Sequence, residues 1–301
     1  MKITSCYSCG FPIEGINKIH NHCVKKIFNC NKMPDIDLSL KEVLSKAQSM
    51  AGKLSISGVQ PKLSVTFSKN ENKLNVVSEK GEYILKPQVE YYPHLPENEN
   101  LCMNIFGLGK VEIPSHTLIS LTDGSKAYLI KRFDRLNSRK IHTETFFQIL
   151  NKKEKYSGSY EEIGKKLRSI SDVPGLDVQL FFERIVLNFI IGNGDAHQKN
   201  FSIIYKDNNE IRLSPGYDIV SSKLLIPEEE DTALTLNGKK NNIRKSDFIK
   251  FADYLKIPDK AINLFIDKKS EIQKMIDYSY LDQYEKERFK ETIGERYSRL
   301  T

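Results

Sequence analysis

The chain has 301 residues, with 46 basic and 39 acidic side chains for a formal net charge of +7, and five cysteines. That length exceeds what one hydrophobic core usually serves, so two lobes or two domains are expected, and the thinly spread charge describes a solvated surface before it describes an anionic partner. No apolar stretch reaches the length of a membrane span and Met1 to Ile19 lacks the apolar centre of a signal peptide, so a cytoplasmic protein is expected, and the clustered, odd-numbered cysteines exclude a secreted disulfide framework.

The chain opens with Cys6-Tyr7-Ser8-Cys9, then His20-Asn21-His22-Cys23. A C-x-x-C pair followed by H-x-x-C offers four soft ligands, enough to close a tetrahedral zinc site. A small reduced-cysteine turn packed on the body of the protein uses the same residues, and the short second pair fits no common finger pattern. Structural zinc at Cys6, Cys9, His20 and Cys23 is therefore one of two readings of this N-terminal segment, residues 1–36. Ser39 to Ala51 is expected as a helix: Ser39 and Glu42 make a capping box, Leu40, Val43, Leu44 and Ala47 make one apolar stripe, and Gly52 ends it.

Ser55-Ile56-Ser57-Gly58-Val59-Gln60-Pro61-Lys62 leads into Leu63, Val65 and Phe67, which alternate as a strand. A small-residue loop ahead of a strand lets backbone N–H groups approach phosphate oxygens. With a single glycine, a plain hairpin turn explains the same residues. Further strands are expected at Leu74 to Ser78 and Tyr83 to Pro87, the second carrying Lys86 between apolar neighbours. A buried ammonium needs an anion beside it; the α/β-phosphates of ATP would supply one, and snorkelling from an edge strand is the plainer account. Pro96 to Phe106 reads as a helix. Thr117 to Leu121 and Ala127 to Phe133 read as a hairpin across the Asp123-Gly124 turn.

From about residue 136 the pattern turns helical. His142-Thr143-Glu144 opens a helix carrying Phe146, Phe147 and Leu150, and Ser159 with Glu162 makes a second capping box ahead of Ile163, Leu167 and Ile170. Phe181, Phe182, Ile185, Val186, Phe189 and Ile190 recur at helical spacing until Gly192-Asn193-Gly194 stops them. The polar loop beyond holds Asp195 and Asn200. Phe201 to Tyr205 reads as a strand, Ile211 and Leu213 suggest its hairpin partner, and the hairpin carries the chain to Asp218. Phosphoryl transfer needs such a set: one carboxylate to take the attacking hydroxyl's proton, an amide oxygen and a second carboxylate to hold Mg²⁺ on the nucleotide phosphates. D-x-x-x-x-N is the spacing of a protein-kinase catalytic loop, although neither H-R-D nor D-F-G occurs. Lys239 to Lys250 is a basic run, read as a solvated loop ahead of a docking surface. Pro258 to Ile276 and Leu281 to Ile293 read as amphipathic closing helices.

Asn193-Gly194-Asp195-Ala196-His197-Gln198-Lys199-Asn200, with Tyr217-Asp218-Ile219, resembles the signature of HipA-type serine/threonine kinases, the toxins of bacterial toxin–antitoxin systems. The resemblance extends over most of the chain from Ser55 onward. It implies an α+β, protein-kinase-like two-lobed fold, with an antiparallel-sheet N-lobe over 37–132, a helical C-lobe over 133–301 and ATP between them. It makes Asp195 the catalytic base and Asn200 and Asp218 the Mg²⁺ ligands, with His197 and Lys199 shaping or charging the loop. It places a G-x-Q-x-K phosphate loop on Gly58, Gln60 and Lys62, so that Ser57, Gly58, Val59, Gln60 and Lys62 cover the nucleotide, and it offers Ser55 and Ser57 for autophosphorylation. Asn98-Glu99 is similar to the N-E of the family's corresponding helix, which makes Glu99 the partner of Lys86 and Glu97 its rival. Arg132-Phe133-Asp134-Arg135 is similar to the connector, where Lys131 and Phe133 would meet adenine through their main chain.

The substrate in known members is an aminoacyl-tRNA synthetase, whose loss of charging arrests growth. Longer members carry an extra N-terminal subdomain before the phosphate loop, so this chain resembles the short, HipT-like branch, in which a separate small antitoxin takes that place. A helix-turn-helix partner would bind operator DNA, while the kinase itself is expected neither to read DNA sequence nor to bind membranes. Two rival functions remain: an antibiotic-type small-molecule phosphotransferase, which shares D-x-x-x-x-N, and a catalytically dead binding module acting through its basic surface.

Overall fold

The computed structural model describes residues 4–14, 18–50, 60–109, 111–136, 139–207, 209–258, 262, 265 and 267–301. The chain divides into two compact units, the first comprising Met1–Asn104, Pro114–Arg139 and Tyr278–Leu281, the second Ile105–Ile113, Lys140–Asp277 and Asp282–Thr301. Among the described residues, no helix is long and apolar enough to cross a membrane.

The first unit is built on a five-stranded antiparallel sheet. In chain order its elements are β1 (Thr4–Ser5), β2 (Pro12–Ile13), α1 (Asn21–Phe28), α2 (Leu40–Ser49), β3 (Leu63–Ser68), β4 (Lys73–Val76), β5 (Tyr83–Pro87), α3 (Leu95–Phe106), β6 (His116–Ser120) and β7 (Lys126–Lys131), followed by the short β8 (Arg135–Leu136). The sheet order is β4-β3-β5-β7-β6. Leu63 faces Leu85, which faces Leu129 across the next pair, and all three are wholly buried. Their row packs with Val65, Tyr83 and Ala127 against Val24, Ile27 and Phe28 of α1 and Val43 and Ala47 of α2 in one apolar cluster, the arrangement expected of a sheet that hides one face. The capping box at Ser39 forms as its residues require: Ser39 Oγ accepts the Glu42 N–H and Glu42 takes the Ser39 N–H at 2.8 Å. At the β6–β7 turn Gly124 adopts φ +82°, a left-handed conformation that glycine enters without strain.

The second unit is mainly helical. It contains β10 (Thr143–Thr145), α4 (Phe146–Ile149), α5 (Tyr160–Ile170), α6 (Pro174–Ile191), β11 (Ser202–Tyr205), β12 (Ile211–Leu213), α7 (Ser222–Leu225), α8 (Lys245–Tyr254), α9 (Lys269–Tyr278) and α10 (Gln283–Leu300); β9 (Arg139–Lys140) lies at the change of unit. Helix α6 is apolar on nearly every side and is buried accordingly. Phe181 meets Phe201 edge-on at 5.2 Å, and Phe189 meets Phe248 at 5.4 Å. Gly192 ends α6 in the left-handed conformation, φ +68°.

Three expectations are corrected here. The expected helix opening at His142 is instead strand β10, which pairs with β11 (Thr143 with Ile204, Thr145 with Ser202), and the helix behind it is a single turn. The partner strand decides this, because Thr-Glu-Thr pairs readily once an edge is offered. Half of the second capping box forms: Ser159 Oγ accepts the Glu162 N–H at 3.2 Å, but the Glu162 carboxylate turns to Lys152 at 2.7 Å. The basic run Lys239 to Lys250 is helical from Lys245, and Lys239 pairs with Asp247 at 2.7 Å and Lys240 with Glu230 at 3.4 Å. Of the closing helix expected over Pro258 to Ile276, the described part is helical over Lys269–Tyr278, and residues 259–261, 263, 264 and 266 lie outside the described residues.

Candidate active site

In the second unit the site grows from the end of α6. The αL residue Gly192 turns the chain out of the helix, and Asn193 is held by its Nδ2 donating to Asn188 Oδ1 at 2.8 Å. Its own Oδ1 accepts the Asp195 N–H at 3.2 Å, and Gly194 N–H donates to Ser222 Oγ at 2.8 Å. Asn200 Oδ1 accepts the His197 N–H at 3.0 Å, closing the loop on itself. A single 3₁₀ turn over Gln198–Asn200 then feeds β11. After β12 the chain reaches Asp218 at φ +55°, a left-handed conformation unusual for a residue with a side chain. Asn193, Asn200, Tyr217 and Asp218 line one open recess together with Arg184 of α6.

The electrostatics of this loop follow from its burial. His197 lies with Nδ1 buried and without a hydrogen-bond partner among the described residues, and desolvation lowers its basicity against the opposing charges of Asp195 and Asp218. Both carboxylates therefore act on one imidazole. Tyr156 donates its hydroxyl to Asp195 Oδ1 at 2.6 Å, with the Lys155 ammonium 4.0 Å from the same oxygen. Burial, then the Asp195 bond, pushes the Tyr156 hydroxyl above its ordinary range, so it remains a donor. Burial likewise raises Glu229, with the Asp195 charge adding to it and Ser222 opposing. Lys199 sits with its ammonium 4.5 Å from the Phe147 ring centre.

Four residues of this neighbourhood carry no motif: Tyr156, Ser222, Glu229 and Arg184. Only Arg184 left a signal, a Glu-Arg pair interrupting the apolar run of α6. It is 3% exposed, and its Nη2 donates to the Ser214 carbonyl while Nε and Nη1 find no partner among the described residues. Burial lowers its pKa to about 10, opposed by the surrounding acidic groups, which leaves the guanidinium charged at neutral pH.

In the first unit Lys86 of β5 meets Glu99 of α3 at 2.6 Å, with side chains 7% and 1% exposed. The Tyr128 ring lies 5.8 Å from the ammonium. Glu97 turns instead to Lys126 at 3.1 Å. Gln60 Nε2 is buried without a partner among the described residues, and Lys62 is half-buried. Ser55, Ser57, Gly58 and Val59 lie outside the described residues. The Lys131 N–H donates to the Ser115 carbonyl at 2.8 Å, which leaves its carbonyl as the group for any further main-chain contact. Asp134 is clamped between Arg132, at 2.8 Å, and Arg135, at 2.6 Å. Burial alone would raise its carboxyl, but the two guanidinium groups outweigh that and hold it below the usual range. Phe133 is held between these clamped neighbours and is half-buried.

A sheet unit with a buried Lys–Glu pair and a helical unit gathering Asp195, Asn200 and Asp218 define a protein-kinase-like α+β fold. The family model of the HipA-like C-terminal domain matches residues 54–277. The chain belongs to this HipA-type kinase family. It is 30% identical over 310 residues to a Haemophilus influenzae protein named "Putative kinase", covering 91% of this chain and 88% of that one. It is 24% identical to the Shewanella oneidensis serine/threonine-protein kinase toxin HipA over 74% of this chain, and spans 56% of that relative's length. Among solved structures it is similar to the HipA of Shewanella oneidensis in complex with HipB and operator DNA, with a TM-score of 0.69 at 21% identity, covering 87% of this chain and 71% of that one. The Helicobacter pylori proinflammatory kinase CtkA gives a TM-score of 0.58 at 16% identity, over 83% of this chain and 91% of that one.

Proposed function

We propose that this protein is an ATP- and Mg²⁺-dependent serine/threonine protein kinase that acts as the toxin of a toxin–antitoxin system. The observation that carries the reading is the convergence of Asn200 and Asp218 on one recess of the second unit, beside a loop that presents Asp195. An amide oxygen and a carboxylate oxygen suit a hard cation. Asn200 Oδ1 already takes the His197 N–H at 3.0 Å and keeps a second lone pair for a metal. Mg²⁺ bound there would neutralise charge on the β- and γ-phosphates. Asp195 accepts the proton of a serine or threonine hydroxyl as its oxygen bonds to the γ-phosphorus, and the β–γ bridging oxygen leaves with ADP. Lys86, oriented by Glu99, holds the α- and β-phosphates; Gln60 and Lys62, with Ser57, Gly58 and Val59, cover them. Lys131 and Phe133 receive the adenine through main-chain atoms, while His197 and Lys199 shape the catalytic loop.

The substrate class is a protein, and the resemblance to HipA-type kinases implies an aminoacyl-tRNA synthetase, whose phosphorylation in the cytoplasm would stop translation and growth. A small antitoxin and a helix-turn-helix, operator-binding antitoxin complete the proposed assembly. Phosphate on Ser55 or Ser57 would add close to two negative charges beside the nucleotide and restrain the enzyme. The test is expression of the intact chain beside Asp195→Ala in bacteria, followed by phosphoproteome comparison and labelled ATP. Growth arrest and serine or threonine phosphosites seen only with the intact chain are expected. Label transferred to a small metabolite, or an arrest that Asp195→Ala retains, overturns the reading.

A further inference from the structure

The N-terminal cysteine and histidine cluster has no part in the kinase chemistry, yet it is assembled with care. Cys6, Cys9, His20 and Cys23 bring one ligand atom each to within 4.8 Å of one another. Tetrahedral zinc with Zn–S near 2.3 Å and Zn–N near 2.05 Å sets neighbouring S···N separations of about 3.6 Å. Cys9 Sγ and His20 Nδ1 stand 3.4 Å apart.

The supporting hydrogen bonds are those a metal site needs. His20 Nε2 faces the Pro12 carbonyl at 3.2 Å, so the ring proton belongs on Nε2 and the Nδ1 lone pair points into the cluster. The His20 backbone N–H donates to Cys6 Sγ at 3.4 Å, the Cys9 N–H is directed at the same sulfur, and the Phe11 N–H at Cys9. These donors stabilise thiolate charge. The first two ligands lie on a tight knuckle: β1 and β2 pair around it, Cys6 N–H donates to the Phe11 carbonyl at 2.8 Å, and Gly10 takes φ +71°. The second two straddle a helix start, His20 as the residue before α1 and Cys23 in its first turn, where the helix dipole favours negative charge. The three-dimensional arrangement thus explains the short H-x-x-C spacing, because one turn of helix brings positions three apart to the same face. Cys30 is not a member; its thiol donates to the Lys32 carbonyl at 3.1 Å.

We propose that Cys6, Cys9, His20 and Cys23 form a structural Cys₃His zinc site. All four positions are filled by protein atoms, so the ion would be closed to substrate, as structural zinc is. Its place gives it a task. Tyr7 and Ser8, inside the knuckle, pair with the outer edge of the sheet: the Leu118 N–H donates to the Tyr7 carbonyl at 3.1 Å, and Ser8 Oγ donates to the His116 carbonyl at 2.8 Å. A metal-locked knuckle therefore covers strand β6, the exposed edge that a five-stranded sheet must protect.

The experiment uses the whole chain, produced in zinc-containing medium, with metal content and thermal unfolding as readouts, so its result does not depend on the kinase reading. About one zinc per chain is expected, with a melting temperature that falls on strong chelation and returns when zinc is restored. Cys9→Ser and His20→Ala lose the metal and the chelator response. His22→Ala, whose ring merely stacks on His20 at 5.1 Å, keeps both. Should the single variants fail to fold, cobalt substitution of the intact chain decides: intense tetrahedral d–d bands and thiolate-to-cobalt charge transfer are expected. A folded chain with substoichiometric metal, no thiolate-to-cobalt bands and a melting temperature indifferent to chelator overturns the proposal.

Discussion

The Tyr156 hydroxyl donates to Asp195 Oδ1 at 2.6 Å, engaging one oxygen of the proposed base and fixing the orientation of the other. The acceptor carboxylate is 44% exposed, so without this bond it would sample several rotamers. Tyr156→Phe removes only the hydroxyl. We expect kcat to fall about tenfold, corresponding to about 1.4 kcal/mol of lost positioning, while the ATP KM is unchanged. Steady-state kinetics on a phosphoacceptor protein measure this, and an unaltered kcat would assign the tyrosine no positioning role.

Gly194 tolerates no side chain. A Cβ there would stand 2.5 Å from the Glu230 carbonyl oxygen and 2.7 Å from the Glu229 carboxyl carbon, so backbone has to move. Gly194→Ala is expected to displace the adjoining Asp195 and cut turnover by roughly 10², the cost of misplacing a catalytic group by about an ångström. ATP affinity by calorimetry should remain within about threefold of the parent. A variant with normal turnover contradicts the placement of Asp195.

The Lys86–Glu99 pair is almost fully desolvated. Glu99→Gln leaves an ammonium buried beside a neutral amide, which is expected to cost about 3–5 kcal/mol in urea unfolding. Lys86→Met combined with Glu99→Leu should restore most of that stability while abolishing phosphoryl transfer. If the single variant unfolds at the parental midpoint, the pair does not carry that stability.

His116 is buried, with Nδ1 donating to Asn100 Oδ1 at 3.1 Å. Burial, then the Lys26 charge, lowers its pKa to about 3. The unfolded chain binds this proton near pH 6.5 and the folded chain does not, so stability is full above that pH and lost as pH falls toward 3, at up to about 1.4 kcal/mol per pH unit. His197, lowered mainly by desolvation, adds a contribution of the same sign. Urea midpoints at pH 7, 6 and 5 should decline, and His116→Asn should flatten that decline. An equal slope in the variant would show that other groups carry the dependence.

Local chemistry, read along the chain, sufficed for several features. The α6 stripe, its stop at Gly192, the Ser39–Glu42 box and the Asp123-Gly124 turn all rest on neighbours within a few residues, so their physics is present in the sequence itself. The proposed site residues Asp195 and Asn200 with Asp218 stand out in the sequence for the same reason, as three oxygen-bearing groups on a short loop and hairpin. The pairing of Lys86 was half legible: α3 places Glu97 and Glu99 on different faces, and the sequence cannot say which face turns to β5. Lys126, from β7, takes the one and leaves the other.

What tertiary structure alone decided depends on partners far along the chain. Strand β10 exists because β11 offers it an edge sixty residues on. Tyr156, Ser222 and Glu229 reach the loop of Gly194 and Asp195 from positions distant in the chain, and none carries a local signature of that approach. The proposed zinc ligands show both regimes at once. Their residue types were plain in the sequence, but only folding brings a β-knuckle and the first turn of a helix to one point, since ligand geometry is a matter of distances in space rather than of spacing along the chain.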